Sequence, residues 1–189
     1  MFCWPNSSCF LLNLKSILVL LPFALATIFY ISPLSVLKIN LRDVPGTKLF
    51  LIAFSWAGVT VLFPSVQNGL PISDNLWLLF LERFLFIVGL TIPFDIRDID
   101  YDSPKLFTLP QVLGVKQAKF ISLIALVTFI ILTYYRSSIL NDSNSTNLII
   151  GIIAAFFVIF SSENQNKYYS NFWIESLPIL WFVLVLFFY

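Results

Sequence analysis

The chain has 189 residues, of which 59% are hydrophobic and only 11% are charged, and it contains no histidine. A soluble domain carries about 25% charged residues, so this composition excludes a soluble globular protein and indicates an integral membrane protein. Without histidine, Cys3 and Cys9 make no zinc site, and a net charge of +1 with no basic run gives no indication of nucleic-acid binding.

Six apolar segments approach the length of about 20 residues that a helix needs to cross a bilayer. In chain order they are 16–34, 49–66, 76–94, 119–135, 146–162 and 172–189. Their apolar runs are continuous rather than alternating, and lipid permits only helices and closed barrels. We therefore predict an all-α fold, a single membrane domain over residues 1–189 built as a polytopic transmembrane helical bundle of about six spans.

Basic residues are unevenly distributed among the loops. The loops after the first, third and fifth segments hold most of them: Lys38, Arg42, Lys48, Arg97, Lys105, Lys116, Lys119 and Lys167. Because basic loops stay on the cytoplasmic side, these three loops are predicted to face the cytoplasm. The expected location is a bacterial cytoplasmic membrane, with the acidic stretch described next on its cytoplasmic side.

The stretch FDIRDIDYD, residues 94–102, gathers four aspartates where the third segment meets water. If the third helix continues through this stretch, Asp95, Asp98 and Asp102 share one helical face at i, i+3 and i+7, whereas Asp100 points elsewhere. Carboxylate oxygens are the ligands that Mg²⁺ prefers, and Mg²⁺ usually shares its coordination shell with substrate phosphates. The spacing therefore predicts a Mg²⁺–diphosphate site.

Two basic residues flank the aspartates and leave a second interpretation open. Arg97 and Lys105 are suited to hold diphosphate oxygens that the metal does not cover. In the alternative, the stretch is a solvated acidic loop whose carboxylates pair with these two residues and with nearby lysines. The regular spacing of the acids, and their scarcity in the other loops, favour the metal site.

The stretch RDIDYDSPKLFTLPQVLG, residues 97–114, resembles the second aspartate motif of the UbiA-type intramembrane aromatic prenyltransferases. Within that family, its sequence resembles the motif of the dihydroxynaphthoate prenyltransferase branch most. The matching positions are Arg97, Asp98, Asp102, Thr108, Leu109, Leu113 and Gly114. A second stretch, residues 37–64, resembles the basic loop that leads into the family's fifth helix. Its Lys38 and Arg42 match the positions at which family members present basic residues to the diphosphate.

The resemblance implies a bundle of nine helices around a central cavity. It also implies an enzyme that transfers a prenyl group from a polyprenyl diphosphate to a hydrophobic acceptor, aromatic or otherwise of the lipid-quinone type. In the family, two aspartate motifs face each other and hold Mg²⁺ on the diphosphate. The resemblance assigns two kinds of residue here, metal ligands (Asp95, Asp98 and Asp102) and diphosphate-binding cations (Arg97, Lys105, Lys38 and Arg42). It identifies no catalytic residue.

The first acidic residue of the chain is Asp43, so the family's first aspartate motif has no counterpart upstream. The chain therefore corresponds to the C-terminal six of nine helices, and we expect it to be inactive on its own. Three explanations stay open: a gene prediction that begins too late, a degenerate paralogue, or a half-protein completed by another chain. The alternative function is accordingly a non-enzymatic or partner-completed membrane subunit.

Glu82 and Arg83 lie in the middle of the third segment, where each charge is unfavourable by roughly 2.5–3.5 kcal/mol. They are predicted either to form a polar wall of the substrate cavity, with Arg83 aiding the diphosphate, or to be buried in pairing with a polar neighbour. A small transporter that uses both charges has little support, because the other segments offer no matching charges and no inverted repeat is visible.

Overall fold

The structure is a computed structural model that describes residues 13–31, 44, 46–102, 106–140, 145–166 and 168–188. All regular secondary structure among these residues is helical, which confirms the predicted all-α class. The helices in chain order are α1 (Leu14–Ile31), α2 (Thr47–Ala57), α3 (Phe63–Gln67), α4 (Asp74–Arg97), α5 (Leu109–Leu113), α6 (Val115–Leu140), α7 (Ser145–Phe160) and α8 (Leu177–Phe188). A wide π-helical turn at Gly58–Leu62 joins α2 to α3, and a second one at Tyr169–Ile174 precedes α8.

Four helical stretches of the described chain are long and apolar enough to cross a membrane: Thr47–Gln67, Asp74–Arg97, Val115–Ile139 and Tyr169–Phe188. Helices α1 and α7 are apolar but shorter. Each of the six predicted segments falls on one of these six apolar helices. The four long helices agree with an integral membrane protein, and the full number of spans stays a prediction.

Helix α4 packs against α2, α6 and α7 and so lies centrally among the described helices. One core cluster joins α4 to α6, α7 and α8 through residues that include Phe86, Phe129 and Trp181. Another joins α4 to α2 and α6 around Leu49 and Ile92. Packing against these helices therefore fixes the positions of the charged side chains that α4 carries.

Pro93 lies inside α4 and has no N–H to donate to the carbonyl of Gly89, one turn earlier. The fully buried Ser122 hydroxyl of α6 donates to that carbonyl at 2.7 Å. The two helices approach closely here, because a Cβ on Gly89 would lie 2.6 Å from Leu126 Cγ. Helix α4 therefore continues through its proline and carries Asp95 to the polar end of the bundle.

Helix α5 ties the segment after the aspartates to the start of α2. Its N-cap is Thr108, whose N–H donates to Gln111 Oε1 at 3.2 Å. It ends at Gly114, whose φ of 85° lies in the left-handed region that favours glycine. The Gly46 N–H, just before α2, donates to the Phe107 carbonyl at 3.1 Å. The T-L-x-x-x-L-G part of the motif thus has a structural role, since it holds the first turn of α2 beside the aspartates.

Candidate functional site

An apolar cavity of about 750 Å³ lies between α2, α4 and α8. Its walls are mainly apolar side chains of these helices: Ile52, Trp56, Phe86, Ile87, Leu90 and Phe182. Trp56 and Phe182 are more than half exposed, so the cavity opens on the outer surface of the bundle. Both π-helical turns border it, through Thr60 and Ile174, and such wide turns often occur at functional sites.

Charged side chains lie one helical turn beyond the lining residues of the cavity, beside the carboxyl end of α4. Lys48 lies one turn before the lining residue Ile52, and Asp95 lies one turn after the lining residue Thr91, so both share the cavity-facing sides of their helices. Lys48 Nζ is 3.2 Å from Asp95 Oδ1 and 3.4 Å from Asp102 Oδ2. The side chain of Asp95 is only 3% exposed. A lysine ammonium therefore occupies the space between two of the aspartates.

Arg97 is held between the end of α4 and the π-helical turn before α8. Its Nε and Nη2 each donate to a carboxylate oxygen of Asp98 at 2.6 Å. Its Nη1 donates to Ser170 Oγ at 2.8 Å and also to Asn171 Oδ1. The guanidinium carbon lies 5.6 Å from the ring centroid of Phe94, which lines the apolar cavity. The Arg97–Asp98 pair thus lies directly beside the polar end of that cavity.

The prediction that Asp95, Asp98 and Asp102 share one helical face is wrong. Helix α4 ends at Arg97 and Asp98 is its C-cap, so only Asp95 lies within the helix. The structure brings Asp95 and Asp102 together at Lys48, whereas Asp98 pairs with Arg97. No three Asp, Glu or Cys side chains of the described residues are grouped so that they hold a metal ion.

A polar cleft of about 520 Å³ adjoins the Arg97–Asp98 pair. It is bordered by Asp100 and by Glu163 and Gln165 of the segment after α7. Gln165 Nε2 donates to the carbonyl of Pro93 at 2.9 Å and fixes this segment against α4. The Arg97–Asp98 pair thus borders a polar cleft, whereas Phe94, one turn before Asp98 on α4, lines the apolar cavity.

Three of the cations predicted to bind diphosphate, Lys38, Arg42 and Lys105, lie outside the described residues, and their roles stay predictions. The fourth, Arg97, contacts Asp98. Asp95 and Asp102 are contacted by Lys48, which the sequence pattern marked only as a loop charge. Because 47 positions separate it from Asp95, its proximity could not be read from local spacing. The available signal was its position at the start of an apolar segment that follows the basic loop.

The charges in the middle of α4 have separate environments. Glu82 is fully buried and accepts from Arg136 Nε at 2.7 Å and Nη2 at 3.4 Å, as the buried-pairing alternative predicted. Helix α6 runs to Leu140, past the predicted end of the segment at residue 135, and thereby carries Arg136 to this pair. Arg83 lines the apolar cavity, with its guanidinium carbon 3.8 Å from the ring centroid of Trp181.

No protein-family model, no curated protein and no solved structure matches this chain. The resemblance to the UbiA-type enzymes therefore depends on the two stretches of sequence that carry it.

Proposed function

We propose that this chain binds a polyprenyl diphosphate and acts as part of a UbiA-type intramembrane prenyltransferase. The observation that carries the proposal is a charged cluster that lies one helical turn beyond the lining of an apolar cavity. Ile52 and Thr91 line the cavity, and one turn away on the same helix faces Lys48 and Asp95 form an ion pair. An amphiphile with an apolar chain and a charged head group complements both parts.

The apolar chain of this ligand would lie along α4. The helix borders the cavity from Arg83 to Phe94, a length of about 16 Å at 1.5 Å per residue. The opposite walls are supplied by Trp56 of α2 and Phe182 of α8. The exposed outer edges of these two side chains leave an opening through which a long isoprenoid chain extends into the lipid.

The diphosphate head would lie at Lys48 and Arg97. An ammonium has three N–H donors, and Asp95 and Asp102 accept two of those of Lys48, which leaves one for a phosphate oxygen. Three carboxylates and two cations form this cluster among the described residues, so it carries one excess negative charge. A diphosphate therefore needs a further cation in order to bind here.

Mg²⁺ is the cation that we propose. Asp98 and Asp102, whose side chains are 31% and 21% exposed, suit the usual mode in which one or two carboxylates share Mg²⁺ with phosphates and water. Asp95 does not fit this role, because its carboxylate is almost fully buried. When bound, Mg²⁺ supplies charge stabilisation to the diphosphate leaving group.

Transfer of the prenyl group to an aromatic or other lipid-quinone-type acceptor completes the proposed reaction. The aromatic walls of the cavity, including Trp56, Phe86 and Phe94, exclude water and stabilise a developing allylic cation. In the UbiA-type pattern a second set of carboxylates faces the first, and in this proposal a partner protein contributes it. The distribution of basic residues supports a site on the cytoplasmic side of a bacterial membrane.

The test is Mg²⁺-dependent binding of geranylgeranyl diphosphate to the full chain in nanodiscs. We expect Mg²⁺ to strengthen binding in the native chain, and the double substitution Asp98→Asn with Asp102→Asn to weaken binding about tenfold, because charge-assisted contacts are lost. Asp74→Asn, at the other end of α4, is the matched control. Native binding that is absent, or that the double substitution leaves unchanged, contradicts the proposal.

A specific observation favours a second candidate, a non-enzymatic membrane subunit. Each of the three aspartates is already paired with Lys48 or Arg97, and these pairs link α4 to α2 and to the π-helical turn before α8. Such a network stabilises a bundle without any ligand. In this case the chain purified from its native membrane should carry a stoichiometric partner and should not bind the diphosphate; a solitary chain that binds it would exclude this candidate.

A further inference from the structure

The apolar cavity also contains a cation far from the aspartates. Arg83 is the tenth residue of the 24-residue helix α4, so it lies near the middle of a bilayer that this helix crosses. Fourteen positions separate it from Arg97, which corresponds to about 21 Å along the helix. The surroundings of Arg83 are therefore independent of the proposed diphosphate site.

The charge of Arg83 is not balanced by the side chains around it. Both oxygens of its neighbour Glu82 accept from Arg136. Within the described part of the chain, Arg83 forms no ion pair, and its Nη1 is buried without a hydrogen-bond acceptor. These three side chains together carry one excess positive charge in a region where charges normally have partners. Glu175 is a carboxylate that also lines the cavity, but among the described residues it forms no ion pair with Arg83. An anionic ligand beside Arg83 would balance this charge.

The guanidinium of Arg83 is held in place by Trp181. The indole Nε1 of Trp181 donates to Asn147 Oδ1 at 2.9 Å in a buried hydrogen bond. The same ring packs edge-on against Phe86, with the ring centroids 4.8 Å apart. Arg83 stacks on this fixed ring with its guanidinium carbon 3.8 Å from the centroid. A cation–π contact offsets part of the cost of the buried charge, and the guanidinium side chain still lines the cavity.

We propose that the cavity binds a single-chain fatty acid, with its carboxyl group at Arg83 and its hydrocarbon chain along the apolar walls. A carboxylate matches the two parallel N–H donors of a guanidinium. A carboxylic acid also enters hydrocarbon in its neutral form, whereas the phosphate of a phospholipid stays at the headgroup level, about 15 Å from the bilayer centre. The cavity of about 750 Å³ lies within the range of roughly 300–1,000 Å³ that small-molecule sites have.

The route to this site is lateral. Trp56 and Phe182, which line the cavity, are each more than half exposed on the outer surface of the bundle. A fatty acid dissolved in the lipid can therefore pass between α2 and α8 without crossing the charged end of the protein. This inference does not depend on the proposed prenyl diphosphate function.

The experiment measures saturable binding of radiolabelled hexadecanoic acid to the full chain in nanodiscs of phosphatidylcholine, with empty nanodiscs subtracted. We expect unlabelled hexadecanoic acid to displace the probe, and hexadecanol, which has the same chain but no acid, to be about tenfold or more weaker, because it lacks the charge-assisted contact. This comparison uses the native chain and so does not depend on the folding of any variant. Equal displacement by the acid and the alcohol would mean that only the chain is recognised and would overturn the proposal.

Substitution of Arg83 tests the contact directly. Arg83→Gln should weaken hexadecanoic acid binding about tenfold, since a neutral amide replaces the charged donor. The control Lys119→Gln removes a cation that donates to the Ile159 carbonyl, outside the cavity, and should leave binding unchanged. Undiminished binding in Arg83→Gln, or no saturable binding in the native chain, overturns the proposal. The diphosphate proposal is tested separately, through Mg²⁺ and the substitutions of Asp98 and Asp102; because the prenyl chain is proposed to lie in the same cavity, that measurement is made without hexadecanoic acid and with Arg83 unchanged.

Discussion

Helix α4 carries two groups of charges in very different surroundings. The mid-helix cluster consists of Glu82, Arg83 and Arg136, and the terminal cluster consists of Lys48, Asp95, Arg97, Asp98 and Asp102. Glu82 is fully buried, whereas four side chains of the terminal cluster are between 18% and 31% exposed. Charges deep in the bundle are fixed by protein contacts, but charges at its end can exchange those contacts for water, a metal ion or a phosphate. Stability should therefore depend more on the first cluster, and ligand binding at the aspartates on the second.

The largest effect on stability is expected from Glu82→Ala. It leaves the guanidinium groups of Arg136 and Arg83 together in the bundle interior without a carboxylate. Removal of one partner from a buried ion pair typically costs about 3–5 kcal/mol, and unfolding in mixtures of mild detergent and sodium dodecyl sulfate measures this loss. Replacement of both Glu82 and Arg136 by methionine should recover most of it. A loss no larger than that of the surface substitution Asp74→Asn would show that the mid-helix cluster does not stabilise the fold.

Lys48→Met should have a smaller effect, because Lys48 is partly exposed while only its partner Asp95 is deeply buried. A buried carboxylate without its donor costs about 1–3 kcal/mol, and the same unfolding measurement applies. Adding Asp95→Asn should reduce the loss, because the remaining amide carries no charge. A loss equal to that of Glu82→Ala would contradict the distinction between the two clusters.

The smallest of the three effects is expected between the clusters, at the hydrogen bond from Ser122 to the Gly89 carbonyl. Ser122→Ala should cost about 1 kcal/mol, because this carbonyl then has neither a backbone nor a side-chain donor. In a chain that already carries Pro93→Ala, the same substitution should have almost no effect, since an alanine at that position supplies the missing N–H. An unchanged effect in that background would show that Ser122 acts through packing rather than through this bond.

Apolar content predicted where the helices lie better than where they end. The predicted segment 119–135 ends one residue before Arg136. The helix continues through Arg136, which Glu82 neutralises from 54 positions away in sequence. A partner at that distance leaves no local signal, so apolar content alone does not show that the helix runs on to Arg136.

The candidate site was predictable in its location and less so in its contacts. The spacing of the acids correctly singled out the carboxyl end of α4 as a charged region. It did not show that the helix ends at Arg97, which turns Asp98 away from Asp95. The spacing also did not show that Lys48 contacts the aspartates. That contact arises because α2 packs against α4 through Leu49 and Ile92.

The π-helical turn Gly58–Leu62 allows one continuous stretch of helix to serve two different neighbours. Before the turn, Leu49 and Ala53 pack with α4 and α6; within it, Val61 and Leu62 pack with Phe23 of α1. A wide turn holds one extra residue, so its removal would rotate the two halves by about 100° relative to each other. The turn thus sets the angle around the helix axis between the surface that contacts α1 and the surface that carries Lys48. A one-residue deletion there would separate two surfaces that the helix now keeps in register.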